Sequence, residues 1–240
     1  MGRLGDLLSS ICRCRFTCPL ILKSKDPAPV SQPGRQGRLT MIIRQLEVGY
    51  LDNFCYIVGC ENTRQALVID PGSDVERIVS AAEKENLEIV TIVNTHGHGD
   101  HTAGNAGLKA RTGARVIIHE LDGDRYPGTD VRLSDEETLQ LGDITFDVIH
   151  TPGHTPGGIC LHAQGNLFTG DTLFVGDSGR TDLPGGDRPT LGKSIRRLMG
   201  LPDHTVVWPG HNYGPTPSST LGWEKRNNVN AIEYGYFVQD

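Results

Sequence analysis

Three histidines and one aspartate lie within six consecutive residues of the chain, in the segment Thr-His-Gly-His-Gly-Asp-His at 95–101. Neutral imidazole and carboxylate groups are the usual ligands of zinc and of several other divalent metals. Gly97 and Gly99 leave the backbone free to bend, so that alternate side chains can converge. This density of ligand groups predicts a metal-binding loop and not an ordinary polar loop with solvated histidines.

The residues around this loop indicate where it lies in the fold. The apolar, β-branched run at 89–93 predicts a buried strand, and the residues from Thr102 to Thr112 predict a helix that ends at Gly113. The loop would then lie at the C-terminal end of a strand. Open α/β sheets place their binding sites at that edge.

Three further ligand-type residues follow strand-like runs, and each lies beside a glycine or a proline in a turn. The seven candidate ligands are His96, His98, Asp100, His101, His154, Asp171 and His211. Seven ligands are too many for one four-coordinate ion, but they suit two ions that share a bridging carboxylate. Two ions about 3.5–4 Å apart can hold a hydroxide between them.

The remaining pattern predicts an α/β (α+β) fold with two groups of strands, each followed by helices. The predicted strands are 41–48, 54–58, 66–69, 89–93 and 115–119, and then 144–150, 159–163, 167–169 and 205–208. One helix is predicted to follow the third strand and to end at about residue 86, and two others are predicted over 191–199 and 220–230. The polar residues 120–136 predict a loop or surface flap. This order suggests two sheets packed face to face with helices outside, a four-layer αββα sandwich.

The first 40 residues differ from the rest of the chain. They carry seven basic and two acidic side chains, so their net charge is +5 and that of the remainder is −11. Their acid-poor start is typical of an organelle transit peptide and their Pro- and Gly-rich end of a linker, while a natural start at Met41 is the alternative. We interpret residues 1–40 as a disordered or non-native extension, and residues 41–240 as one domain.

Charge and cysteine usage narrow the expected partners and compartment. The acidic remainder argues against nucleic acid as the main partner. No apolar run approaches the roughly 20 residues needed to span a bilayer, so no membrane partner is expected. The spacing of Cys55, Cys60 and Cys160 does not suggest a disulfide framework, which indicates a reducing, cytoplasmic location.

The seven-residue motif set resembles that of the metallo-β-lactamase superfamily, and the resemblance covers residues 42–230. It implies the αββα sandwich and two divalent ions, expected to be zinc, with iron or manganese as alternatives. The ligands that it implies are His96, His98 and His154 for one ion, Asp100, His101 and His211 for the other, and Asp171 as the bridge. Asp100 and Asp171 are predicted to act in catalysis as well as in metal binding.

Within the superfamily the chain resembles the glyoxalase II-like thioester hydrolases, especially the short bacterial type. The segments that carry this resemblance are 94–105, 151–157 and 179–184. It implies a small-molecule thioester substrate, such as an S-2-hydroxyacylglutathione, whose acyl carbonyl is attacked by a metal-bridging hydroxide. Longer glyoxalase II enzymes carry a further helical domain that binds glutathione, whereas 29 residues follow His211 here. The resemblance therefore does not identify the thiol part of the substrate. A homodimer is one expected assembly.

Three residues outside the ligand set are candidates for supporting roles. Arg180 is expected to bind an anionic group of the substrate, and Tyr213, next to a ligand position, is expected to line the pocket. Asp70 matches a position that orients ligand groups from behind. Each also has a simpler interpretation, as a loop brace or a turn cap.

A persulfide dioxygenase of the same fold is the alternative function. That family uses one iron, held by the equivalents of His96, His154 and Asp171, and has a similar Gly-Arg-Thr-Asp segment. The Leu-Pro-Gly-Gly-Asp continuation at 183–187 fits the hydrolases better. A non-catalytic metal-binding member is a third interpretation, disfavoured because all seven ligand positions are retained.

Overall fold

Two six-stranded mixed sheets form the centre of the protein, for which a computed structural model describes residues 41–234. The first sheet contains, in spatial order, β1 (Met41–Val48), β2 (Asn53–Cys60), β3 (Gln65–Ile69), β4 (Glu88–Val93), β5 (Arg115–His119) and β6 (Val131–Leu133). Strands β1 to β3 pair antiparallel, and β3 to β6 pair parallel. The extension predicted at 1–40 lies outside the described residues.

The second sheet is formed by the C-terminal half. It contains, in spatial order, β7 (Thr138–Leu141), β8 (Ile144–His150), β9 (Ile159–Ala163), β10 (Asn166–Gly170), β11 (Val206–Pro209) and β12 (Ser219–Thr220). Its neighbouring strands are antiparallel, apart from the parallel pair β10 and β11. The strand grouping predicted from the sequence is therefore confirmed.

Helices follow the strands in each half and, apart from the short second helix, pack on the outer face of their sheet. They are α1 (Val75–Lys84), α2 (Gly99–Thr102) and α3 (Asn105–Thr112) in the first half, and α4 (Arg188–Met199), α5 (Leu221–Asn227) and α6 (Val229–Glu233) in the second. A 3₁₀ turn spans Gly123–Arg125. Among residues 41–234 we find no helix with the length and apolar character needed to cross a bilayer.

Three apolar layers hold the four structural layers together. Successive side chains of a strand point to opposite faces, so Tyr56 packs between the two sheets while Ile57 faces the outer helices. Phe146 and Phe168 of the second sheet join Tyr56 in the central layer. Ile57 packs in one outer layer, and Ile195 of α4 packs in the other. This arrangement confirms the αββα sandwich.

Three local predictions were wrong. The segment 120–136 is not one loop, because it contains the 3₁₀ turn and the edge strand β6. The helix predicted from Thr102 is two helices, of which α2 already begins at Gly99. The helix predicted over 220–230 is broken at Asn228, where the backbone is extended and the side chain accepts hydrogen bonds from the N–H groups of Asn230 and Ala231.

The topology brings the candidate ligands to one edge of the sandwich. Because β3, β4 and β5 run parallel, the residues that follow them leave the sheet at the same end. The parallel strands β10 and β11 are likewise followed by Asp171 and His211. Strand β8, which precedes His154, has the same direction as β10, since both are antiparallel to β9.

Candidate metal centre

Three imidazoles converge where the loops after β4 and β8 meet. The Nε2 atom of His96 lies 3.0 Å from Nδ1 of His98, and Nε2 of His154 lies 2.9 Å from the same Nδ1 atom. All three ring nitrogens lie within 4.8 Å of one another. A tetrahedral site with bonds of about 2.0–2.1 Å to nitrogen brings its ligand atoms to comparable separations. This first triad can therefore hold an ion.

A second triad lies beside the first. The Nε2 atoms of His101 and His211 are 3.1 Å apart, and Oδ2 of Asp100 lies 3.5 Å from the former and 3.6 Å from the latter. These three ligand atoms also lie within 4.8 Å of one another. The structure thus brings the predicted ligand atoms together, in two groups of three and in a third group, Asp70, His96 and His101, that overlaps both. The assignment of the ligands to two ions stays a prediction.

Asp171 lies between the two triads. Its Oδ2 atom is 3.4 Å from Nε2 of both His154 and His211, and its Oδ1 atom is 3.4 Å from Nε2 of His101. The Oδ1 atom is buried and has no hydrogen-bond partner among the described residues. Because a buried carboxylate oxygen without a partner is costly, a cation between the triads would satisfy it. The donor set therefore fits two divalent ions.

Hydrogen bonds at Nδ1, on the side of the ring opposite the clustered Nε2 atoms, orient three of the imidazoles. The Nδ1 atom of His101 lies 3.0 Å from Oδ2 of Asp70. That of His154 lies 2.6 Å from the carbonyl oxygen of Arg180, and that of His211 lies 2.8 Å from the carbonyl oxygen of Leu51. These acceptors favour a proton on Nδ1, which leaves Nε2 of each ring free to bind a metal.

Asp70 supports more than one ligand. Besides facing His101, its carboxylate accepts hydrogen bonds from the backbone N–H of Thr95 at 2.7 Å and from the Thr95 hydroxyl at 2.6 Å. The Thr95 hydroxyl lies 3.1 Å from Nδ1 of His96. Asp70 therefore contacts one ligand directly and reaches another through Thr95, which is the location expected for an orienting residue.

The electrostatics of the centre favour positive charge near the second triad. Burial lowers the pKa of His96 well below its usual 6.5 and keeps that imidazole neutral. Burial alone would lower the pKa of His101, but Asp171 and Asp70 outweigh it and raise that pKa to about 9. Burial likewise disfavours ionised Asp171, yet the neighbouring imidazoles hold its pKa well below 3.8. An ionised carboxylate is ready to bind a cation.

Asn53 is a residue of the centre that the sequence analysis missed. Its buried side-chain amide donates to Oδ2 of Asp100 at 2.9 Å and lies 3.3 Å from Nε2 of His101. Its backbone forms an isolated bridge with His211. The available signal was weak, since a single amide at the start of a strand resembles an ordinary turn residue.

The metal centre opens into a cleft of about 480 Å³. The residues that line this cleft are Leu51, His98, Gly99, Asp100, His154, Asp171, Phe174, Asp177, Ser178, Arg180, Leu183, His211 and Tyr213. Tyr213 stacks on the His211 ring at 4.6 Å and donates its hydroxyl to the carbonyl oxygen of Leu51. The Arg180 guanidinium forms two hydrogen bonds to Asp182, of 2.6 and 2.7 Å. Both substrate-binding candidates therefore line the cleft.

One cleft wall, the segment 174–178, is held by the C-terminal helices. The buried Asn228 amide donates to the carbonyl oxygens of Phe174 and Asp177, at 3.1 and 2.8 Å. Glu224 accepts from the backbone N–H of Gly176 at 3.0 Å. The break in the predicted C-terminal helix thus places a polar side chain where it braces the cleft.

Residues 48–211 match the metallo-β-lactamase superfamily. A hydroxyacylglutathione hydrolase of Rhodospirillum rubrum is 40% identical over 193 residues, which cover 79% of this chain and 74% of that enzyme. The crystal structure of ETHE1 from Myxococcus xanthus is similar with a TM-score of 0.73 and 33% identity, over 80% of this chain and 85% of that one. The structure of TTHA1623 in a di-iron-bound form is similar with a TM-score of 0.69 and 33% identity, over 78% and 98% of the two chains.

The chain belongs to the metallo-β-lactamase superfamily, and its relatives include glyoxalase II-like enzymes. The hydroxyacylglutathione hydrolase relatives and the clustered histidines and aspartates support a metal-dependent hydrolase that uses divalent ions.

Proposed function

We propose that the chain hydrolyses small-molecule thioesters of the S-2-hydroxyacylglutathione type at a two-metal centre, preferentially with zinc. His96, His98 and His154 would bind one ion, and Asp100, His101 and His211 the other. Asp171 would bridge them. The relatives named hydroxyacylglutathione hydrolase support this substrate class.

The completeness of the second triad is the observation that carries this proposal. A single-iron dioxygenase would need only His96, His154 and Asp171 as ligands, and it would give Asp100, His101 and His211 no ligand role. Here the ligand atoms of the second triad lie as close together as those of the first. Asn53 contacts Asp100 and Asp70 contacts His101, so two members of the second triad are fixed in position by hydrogen bonds.

Two bound divalent ions would supply a hydroxide at neutral pH and polarise the acyl carbonyl. Oδ2 of Asp171 lies against one member of each triad and Oδ1 lies against His101, so this carboxylate would hold the centre together from one side. Leu51, Phe174 and Leu183 would contact the apolar part of the substrate, while Tyr213 and Arg180 border the open side of the cleft. Thiolate is a good leaving group, so the reaction needs little help from a general acid.

A screen of S-lactoylglutathione and other acyl thioesters, followed through thiol release, tests the proposal. Wild type is expected to hydrolyse at least one thioester. Asp171→Ala is expected to lose bound metal and to lose at least ~10³-fold in kcat/KM, since it removes contacts with both triads. Equal activity in the two proteins would contradict the bridging role, and no hydrolysis of any thioester by metal-loaded wild type would contradict the substrate class.

The persulfide dioxygenase remains the second candidate, because the structural similarity to ETHE1 fits it. The assay that separates the two is oxygen consumption with glutathione persulfide, on protein grown without added zinc. One iron per chain together with oxygen uptake would favour the dioxygenase.

Three further expectations stay predictions: that residues 41–240 form one domain, that the protein is cytoplasmic and that it forms a homodimer.

A further inference from the structure

A buried aspartate outside the predicted ligand set joins the two loops that form the first triad. Asp122 follows β5 and has no exposed surface. Its Oδ2 atom accepts a hydrogen bond from the backbone N–H of Gly97 at 2.8 Å, and its Oδ1 atom accepts one from the backbone N–H of Gly157 at 2.9 Å. Gly97 lies between His96 and His98, and Gly157 lies three residues after His154.

The two hydrogen bonds connect different sheets. The Gly97 loop follows β4 of the first sheet, whereas the Gly157 loop joins β8 to β9 of the second. Asp122 lies in the turn after β5, a strand of the first sheet. Its backbone N–H donates to the carbonyl oxygen of His119 at 3.0 Å, which fixes this turn. The backbone N–H of Ile159 donates to the carbonyl oxygen of Thr95 at 2.8 Å, so the two segments are already joined at one point. The Asp122 carboxylate adds a second link, between Gly97 and Gly157, next to the ligands of the first triad.

The local packing fits this function. A Cβ atom on Gly157 would lie 2.7 Å from both Cβ and Cγ of Asp122, so only glycine lets the carboxylate approach this loop. The second triad has other supports, since Asp70 contacts His101 and Asn53 contacts Asp100. Asp70 also reaches His96 through the Thr95 hydroxyl, whereas Asp122 is the one of these three side chains that hydrogen-bonds to the Gly157 loop beside His154.

We propose that Asp122 is a positioning residue that holds His96 and His98 at the correct distance from His154, and so sets the metal affinity of the first triad. The proposal rests on the ligand assignment of the proposed function and extends it to a residue that binds no metal. Both carboxylate oxygens are needed, because each accepts from a backbone donor. The isosteric change Asp122→Asn would turn an NH₂ group toward one of these donors and leave it unsatisfied.

Zinc affinity measured by competition with a chromophoric chelator, in two ligand-deletion backgrounds, tests the proposal on the full chain. His211→Ala breaks the second triad, so binding reports the first; His154→Ala breaks the first triad, so binding reports the second. Asp122→Asn is expected to weaken zinc binding ~10–100-fold in the His211→Ala background, which is the usual effect of losing an outer hydrogen bond at a metal site. In the His154→Ala background its effect should stay within about twofold.

Asp130→Asn is the matched control. Asp130 also follows β5 and also accepts from a backbone N–H, that of Val116 at 2.8 Å, but it pairs with Lys109 and lies away from the centre. It should leave zinc affinity unchanged in both backgrounds. Equal weakening by Asp122→Asn in both backgrounds, or none in the His211→Ala background, would overturn the proposal.

Gly157→Ala is a second variant that keeps Asp122 and displaces its carboxylate by steric contact, with the same expected pattern. Circular dichroism of the metal-free proteins checks that each is folded. If neither Asp122→Asn nor Gly157→Ala folds without metal, Asp122 is a general structural residue and the proposal is wrong. Wild type that binds two ions but hydrolyses no thioester would contradict the proposed function and leave this inference intact.

Discussion

The metal-binding loops and the outer border of the cleft are built differently, although they belong to one site. His96 and His101 are 1% and 0% exposed, and hydrogen bonds with Thr95 and with Asp70, which follows β3, fix their rings. Tyr213 is 55% exposed, and the Arg180 side chain is 62% exposed and pairs with Asp182, two residues away. The candidate metal centre is thus buried and braced by hydrogen bonds, while the border of the cleft is exposed to solvent.

This contrast predicts two kinds of variant. Changes behind the metal ligands should alter metal affinity and, through it, every activity of the protein. Changes at the border should alter KM and substrate preference at full metal content. The three predictions that follow run from the largest expected effect to the smallest.

Asp70→Asn should have the largest effect among these three variants. The amide cannot accept all the hydrogen bonds that Thr95 and His101 donate to the carboxylate. We expect zinc affinity, measured by chelator competition, to fall ~10–100-fold, with a matching loss of activity at limiting zinc. Asp74→Asn is the control, because Asp74 has nearly the same φ, 56° against 51° for Asp70, but is exposed. Similar affinities for the two variants would show that Asp70 does not orient the ligands.

Asn228→Ala should loosen the cleft wall without touching the metal ligands. It removes the cap of α6 and the amide that binds the carbonyl oxygens of Phe174 and Asp177. We expect a loss of about 1–3 kcal/mol in the free energy of unfolding and a several-fold rise in KM, with metal content unchanged. The adjacent, exposed Asn227→Ala serves as the control. A fall in metal content in place of a rise in KM would mean that the cleft wall also supports metal binding.

Arg180→Ala should have the smallest effect. An exposed ion pair contributes about 0.2–1 kcal/mol, so a guanidinium that transfers from Asp182 to a substrate carboxylate can change KM by less than ~5-fold. Steady-state kinetics with S-lactoylglutathione and with its diester, which lacks both carboxylates, measure this, and only the substrate with free carboxylates should be affected. Arg188→Ala, which breaks an exposed pair with Glu233, is the control. A hundredfold loss with both substrates would place Arg180 in the reaction itself.

Much of the fold was predictable because the information is local. The strand runs, the helix α4 and the glycine that ends α3 each follow from residues adjacent in sequence, and the structure confirms them. The first ligand motif is equally local, since His96 to His101 are six consecutive residues that run from the loop after β4 into α2. Their division into two triads came from family resemblance, and the close approach of His211 to His101 required the folded chain.

The supporting residues could not be predicted, for a physical reason. Asn53, Asp122 and Asn228 are single polar side chains at the start of a strand, in a turn and at a helix end, where such residues are common without any special function. Each gains its importance from a partner that is distant in sequence, as Asn53 does from Asp100. The segment around Asp122 was wrongly interpreted as a surface flap, because its polarity concealed that Asp122 itself is buried.

The most direct test of the two-metal centre is a zinc titration of metal-free protein in which bound metal and thioester hydrolysis are measured on the same samples. We predict two ions bound per chain and full hydrolytic activity only when both are present. A protein that holds a single iron per chain, stays inactive on thioesters after zinc loading and consumes oxygen with glutathione persulfide would contradict it.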